Sequence, residues 1–228
     1  IGIFVMYIVQ AFRNSSIIYV FTYYFELPEM QSIALTSMTV ASILGTLTMK
    51  PFIRKVKDSN RAFIIWTVAG AVMYIIFYFM SKTMEFESAQ ASLQYGLLFW
   101  IFVLCGYFQG AYYNFVYVLL PMSVDYGVWK YDRNQSGFIY SLNGFSLTFG
   151  SSVGAALLGF VLTGMGYAEG VTITEALKSN LLFVGIMVPS LLSLGHAALQ
   201  MLFGLNDNKY HEILKDLGER NKVSDSVE

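Results

Sequence analysis

Six apolar stretches, roughly 1–25, 32–53, 62–80, 93–122, 136–163 and 177–203, dominate the chain. Each is long enough to cross a bilayer as a helix, which takes about 20 residues. A spanning segment has to satisfy its own backbone hydrogen bonds, and a membrane barrel would instead show about ten alternating residues per strand, so the stretches predict helices. The expected fold class is therefore all-α: a polytopic membrane bundle over 1–205 and a polar tail over 206–228. In the tail, Tyr210, Ile213, Leu214 and Leu217 fall on one face of a short amphipathic helix, expected to lie against the protein or the membrane surface. With 56% apolar and only 13% charged residues, lipid is the expected surrounding of the chain. A net charge of −1 supplies no global basic field for nucleic acid.

Lysine and arginine are spread unevenly, and that sets the orientation. Lys50, Arg54, Lys55, Lys57 and Arg61 follow the second stretch, Lys130 and Arg133 the fourth, and Lys209, Lys215, Arg220 and Lys222 lie in the tail. The opposite loops hold only Lys82 and Lys178, among Glu26, Glu29, Glu85, Glu87, Glu169 and Glu175. Both ends and the Asp125-Tyr126-Gly127 segment are thus expected to be cytoplasmic, in a multi-pass protein of the cell (inner) membrane. An even number of spans permits two inverted triplets, although no sequence repeat is visible. The chain starts at Ile1 without a charged n-region or a cleavage site, so it reads as the end of a longer protein.

Polar residues inside the spans are the candidate functional groups, because each is costly to insert. Arg13 at mid-depth costs at least about 2.5–3.5 kcal/mol on insertion scales and must face protein or water. It either lines a hydrophilic cavity with Asn14, with Tyr23 near the outer end, or makes a structural bond between helices. In the fourth span Gly106, Gly110, Asn114, Tyr117 and Pro121 form a stripe at helical spacing, flanked by Gln109 and Tyr113. The glycines admit a neighbouring helix, while amide, hydroxyl and aromatic groups suit a sugar, which has an apolar face and a rim of hydroxyls. Ordinary helix packing is the competing reading. In the fifth span Gly137, Ser141, Gly144, Thr148, Ser151, Ala155 and Gly159 recur at steps of three or four. Packing is the first reading of that face, and a cavity lined by Thr148 and Asn143 the sharper one.

Other chemistry is not encoded. The single cysteine, Cys105, reads as a packed thiol, and His196, with no carboxylate or cysteine nearby in sequence, as a partner in an interhelical hydrogen bond. No metal-ligand cluster, P-loop, Gly-x-Ser-x-Gly elbow or His-Glu-x-x-His helix is present, which argues against a membrane enzyme, an ATP-driven pump or a bound cofactor.

The stretch "VDYGVWKYDRNQSGFIYSLNGFSLTFGSSVGAALLGFVLTGMGY" resembles the tenth-to-eleventh helix region of the glycoside–pentoside–hexuronide:cation symporters, the melibiose-permease-like branch of the major facilitator superfamily. "RNSSIIYVFTYYF" is similar to their seventh helix, "GTLTMKPFIRKVKDSNR" to the end of the eighth and its basic loop, and "KYHEILKDLGERN" to their tail. The resemblance implies the carboxy-terminal six helices of a twelve-helix fold. It implies transport of a sugar or glycoside, coupled to sodium or protons, by alternating access. The partners implied are membrane lipid, the sugar and the amino-terminal six-helix half, in which most cation-binding carboxylates would lie. It assigns Asp125, Lys130, Asp132 and Arg133 to a cytoplasmic gate and puts Tyr113 where an aromatic residue stacks on sugar. The expected substrate set is thus Tyr113, Asn114, Tyr117, Gln109, Thr148, Asn143, Arg13 and Asn14. The chain departs from many relatives at three positions: Thr148 replaces a lysine, Met122 an acidic residue and Val128 a glutamate. Those losses leave open an uncoupled carrier, or one for a lipid-like solute. A six-helix scaffold without transport of its own is the reading from a different class.

Overall fold

A computed structural model describes residues 2–202 and 206–225; the expected bundle–tail boundary at 205 and the last residues of the tail lie outside them. The described residues form helices and no strands. The order is α1 (Gly2–Tyr19), continued by a π-helical turn over Val20–Tyr24, then α2 (Pro28–Val56) and α3 (Ser59–Thr83). A second series follows: α4 (Phe86–Tyr95), α5 (Leu97–Asn114), α6 (Val116–Tyr131) and α7 (Ser136–Gly164). The third contains α8 (Glu175–Leu182), a π turn over Phe183–Met187, α9 (Val188–Gln200) and the tail helix α10 (Asp207–Asp225). Five of these runs are long and apolar enough to cross a membrane, and a sixth arises if the bent pair Phe86–Gln94 and Leu97–Tyr131 is one span. The protein is a multi-pass membrane protein.

Local chemistry sets the helix ends. Pro28 and Glu29 open α2, where a missing N–H costs nothing and a carboxylate meets the positive end of the helix. Lys57, at φ 61°, closes it, and Asp58 caps α3 by accepting from the Arg61 N–H at 2.7 Å. The fourth span differs from expectation at its end. The helix runs past the expected end at 122 through the Asp125-Tyr126-Gly127 segment to Tyr131, and the chain turns only at Asp132, at φ 53°.

Close backbone approach decides which helices pair. α2 crosses α5 at Gly45, Gly106 and Gly110, where an added Cβ would collide with the backbone of Tyr107, Met38 and Ser42 respectively. α1 crosses α7 at Gly150 and Gly154, whose missing Cβ atoms leave room for the carbonyls of Phe4 and Ile8. This corrects the expected packing face of α7. Gly137, Gly144 and Gly159 meet nothing within 4 Å, so the small-residue stripe that contains them is not the seam. The seam lies about a third of a turn away, since Gly150 and Ser151 are separated by the 100° step of a helix.

The pairing also exposes a repeat that the sequence conceals. α1 packs on α7 and α9, α5 packs on α2 and α3, and α3 packs on α9. Exchanging α1 with α5, α2 with α7 and α3 with α9 reproduces these pairings, while the slighter α2–α3 contact has no α7–α9 counterpart. Three crossings precede α5, so the second triplet starts from the opposite side, and the repeat is inverted. Gly110→Leu is therefore expected to abolish the folded protein, through overpacking against the Ser42 backbone, whereas Gly144→Ala leaves the melting temperature within a few degrees. Size-exclusion profiles and thermal unfolding in detergent check both.

Candidate functional site

Arg13 organises the polar interior. It sits on α1 with only 4% of its surface exposed, and its guanidinium donates to the Pro189 carbonyl at 3.2 Å and to Ser193 Oγ at 2.7 Å, both on α9. The guanidinium also lies 4.5 Å from the centre of the Tyr74 ring on α3. Among the described residues no carboxylate pairs with it. Arg13 is thus an interhelical tie, the structural alternative left open by the sequence, and not the wall of a large cavity.

From Tyr74 one chain of hydrogen bonds leads outward. Tyr74 donates its hydroxyl to Gln109 Oε1 at 2.6 Å. Gln109 on α5, 6% exposed, spends its amide protons on Asn14 Oδ1 at 3.4 Å and on the Tyr113 oxygen. Asn14, Gln109 and Tyr113 then line a cavity of about 400 Å³ with Thr39, Ser42 and Met38 of α2. That volume falls in the range of small-molecule sites, about 300–1,000 Å³. The structure therefore gathers three of the expected substrate residues around one space. Sequence reasoning missed Tyr74 and the α2 wall, although Thr39, Ser42 and Thr46 recur at helical spacing and so were available as a signal.

The remaining expected residues lie elsewhere. Asn114 is one step round α5, donating to Thr46 Oγ1 at 3.0 Å, beside a second, more apolar cavity of about 430 Å³ that Lys50 and Arg54 also line. Tyr117 is 66% exposed, and Thr148 is exposed and donates to its own helix at the Gly144 carbonyl. Asn143 accepts from the Tyr7 hydroxyl at 3.3 Å, bridging α7 to α1. None of these four lines the 400 Å³ cavity. Tyr23 accepts from the Tyr167 hydroxyl at 2.8 Å, and His196 shares a hydrogen bond with the Tyr112 hydroxyl at 3.1 Å.

At the basic end, α10 is docked on α6. Tyr210 donates to Asp125 at 2.6 Å, and Trp129 Nε1 donates to Asp216 at 2.7 Å. Arg220 reaches both Asp216 and the Trp129 carbonyl, while Asp207 accepts from the Ser59 hydroxyl at the start of α3. Of the expected apolar tail face Ile213 is buried, but Leu214 is 41% exposed, one position off the seam. Lys130 donates to the Tyr126 hydroxyl at 3.2 Å, Asp132 forms the helix stop, and Arg133 is exposed on the connection to α7. The Asp125 contact is thus with the tail, not with Lys130, Asp132 or Arg133.

Comparison with known proteins now bears on the arrangement. Residues 1–207 match the family model described as MFS/sugar transport protein. The chain belongs to that family. It is 30% identical over 114 residues to the isoprimeverose transporter of Lactiplantibacillus pentosus, covering 48% of this chain and 23% of that one. It is 27% identical over 188 residues to a putative sulfoquinovose importer of Escherichia coli, covering 79% and 36% respectively. A further relative is the inner membrane symporter YicJ of Escherichia coli, 27% identical over 155 residues, with 68% and 31% covered. The matched part thus spans about a quarter to a third of the length of these relatives. No solved structure gives a significant match.

Two outcomes follow for this member of the family. Tyr113→Phe is expected to weaken binding of a transported solute about tenfold while the protein stays folded, whereas Arg13→Met should chiefly lower the melting temperature, because it removes the two hydrogen bonds by which Arg13 ties α1 to α9. Solute-induced thermal shifts on the two variants separate the roles. Burial first, and then its hydrogen bond to the Asp125 carboxylate, push the Tyr210 phenol up to about 12, above the ordinary value of about 10. A raised phenol favours the docked tail below pH of about 10 and loses that contribution as pH rises through about 12. Proteolysis within α10 should therefore be slow and flat from neutral pH to about 10 and accelerate above it, and Tyr210→Phe should remove the step.

Proposed function

We propose that this chain is the carboxy-terminal six-helix half of a sugar or glycoside transporter coupled to a cation, sodium or proton, working by alternating access. The observation that carries the reading is the cavity of about 400 Å³ where α1, α2 and α5 meet. Its wall combines amide and hydroxyl groups with the Tyr113 ring and the Met38 side chain, the pairing of polar rim and apolar face that a pyranose or furanose presents. Membership of the MFS/sugar transport family supports the same conclusion. So do relatives named as a sugar transporter, a sulfoquinovose importer and a symporter.

In this proposal the amino-terminal half covers the open side of the cavity and supplies most of the cation ligands. The exposed small-residue stripe of α7 faces that half and slides past it at little steric cost. The two six-helix halves rock about the site, and the turn carrying Asp132 and Arg133, with Asp125 and Lys130 on the preceding helix, forms the inner gate against the amino-terminal half. Both ends of the chain lie in the cytoplasm, since eleven of the fourteen lysines and arginines lie on that side.

The test is uptake by the full-length protein in proteoliposomes, using a panel of labelled pentosides and hexosides under imposed sodium or proton gradients. Accumulation above equilibrium that collapses with one gradient is expected. Uptake indifferent to both gradients would identify an uncoupled carrier, and no uptake of any sugar would overturn the reading.

A further inference from the structure

A much smaller cavity also borders Gln109. It measures about 10 Å³ where α1, α3, α5 and α9 meet, and Gly70 and Ala71, small residues on α3, leave the room for it. That is space for a single heavy atom, a water oxygen or a monatomic ion, and too little for a sulfate, a phosphate or a carboxylate. Gln109 is the one residue that borders both this space and the 400 Å³ cavity.

Most polar groups on the small cavity's wall are already spent. Trp66 Nε1 donates to the Phe108 carbonyl at 3.0 Å, Tyr74 to Gln109, and Ser193 to the Pro189 carbonyl at 2.8 Å, while Tyr112 pairs with His196. Two groups are not spent. Arg13 Nε and Thr67 Oγ1 are buried, each on a residue only 4% exposed, and neither has a hydrogen-bond partner among the described residues. Threonines in these helices commonly return the hydroxyl proton to the carbonyl four residues back, as Thr36, Thr39, Thr46, Thr83, Thr148 and Thr163 do. Thr67 makes no such bond, and its proton is free for the cavity.

Charge decides what suits these two groups. Arg13 Nε can only donate, and it belongs to a cation that no carboxylate neutralises among the described residues. A charge taken out of water is costly unless it is paired, and hydrogen bonds from a charged donor are strongest to an anion. A water molecule would meet both groups and leave the charge in place; a halide ion meets both and cancels it. No acidic residue lines the cavity to repel one.

We infer that this cavity is a binding site for one halide ion, such as chloride, held between Arg13 Nε and the Thr67 hydroxyl as the counter-ion of the buried arginine. The ion lies behind Tyr74 and Gln109, away from Asn14 and Tyr113, so it is a stabilising ligand and not the cargo. It makes a neutral pair of the charge on which α1, α3 and α9 converge.

The experiment is thermal unfolding of the purified full-length protein in detergent, with sodium and ionic strength held constant while chloride replaces gluconate. The midpoint should rise and saturate, as binding to one site in the folded state requires, and bromide should act in the same way. Thr67→Val keeps nearly the same shape and removes the hydroxyl, so it should raise the half-saturating chloride concentration about tenfold. Arg13→Met should abolish the response. Crystals grown in bromide should show an anomalous peak between Arg13 and Thr67. A midpoint indifferent to the exchange of gluconate for chloride, or a response unchanged in Thr67→Val, overturns the inference. Density at that position without a bromide signal also overturns it and identifies a water molecule. The bromide signal in the wild-type protein decides the matter even if neither variant folds.

Discussion

Helices in lipid gain nothing from hiding apolar side chains from water, so they associate where their backbones can come close. In this protein that condition is met at two crossings, Gly45, Gly106 and Gly110 between α2 and α5, and Gly150 and Gly154 between α7 and α1. The polar cavity depends on the first of these. Gln109 and Tyr113 reach Asn14 and the Thr39–Ser42 wall only because Gly106 and Gly110, on the adjoining face of α5, let α2 lie against it. The second crossing holds α1 and, with it, Arg13 and Asn14.

Arg13 shows how a buried charge is tolerated with no carboxylate beside it among the described residues. Its cost is offset by the Pro189 carbonyl, the Ser193 hydroxyl one turn on and the face of Tyr74, so the charge is shared across three helices. Pro189 has no N–H to donate to the Gly185 carbonyl one turn back, which accepts from Ser16 Oγ at 3.3 Å, and the start of α9 follows a π turn that already departs from the regular backbone pattern. The matching π turn after α1 packs against that region, so both irregularities occur where the two triplets meet. Arg13 thus ties α1 to α3 and α9 behind Gln109 and does not itself line the 400 Å³ cavity.

The tail helix extends the same economy to the surface. α10 ties the start of α3 through Asp207 to the end of α6 through Asp125 and Trp129, so two elements distant in sequence share one strap. The motif that draws the eye in the sequence, Asp125-Tyr126-Gly127, is thus engaged by the chain's own tail. A change in the position of α6 has to be accompanied by release or movement of α10.

The sequence by itself determined the class of molecule: long apolar stretches can only be helices in a bilayer, and the lopsided placement of lysine and arginine predicts their orientation. It also singled out Gln109, Tyr113 and Asn14, because a polar side chain at mid-depth needs a reason to be there. Only the tertiary structure decided which partners those groups find. Asn114 in the stripe and Gln109 beside it face different cavities, since five residues carry the chain about 140° beyond one full turn of helix. The regular small-residue stripe of α7 looked like the packing face, yet the seam runs through Gly150 and Gly154, because close approach is settled by the partner helix's carbonyls and not by periodicity alone. The inverted repeat is visible only in the pairing of helices, since packing geometry can be conserved by many combinations of apolar side chains that share no sequence pattern.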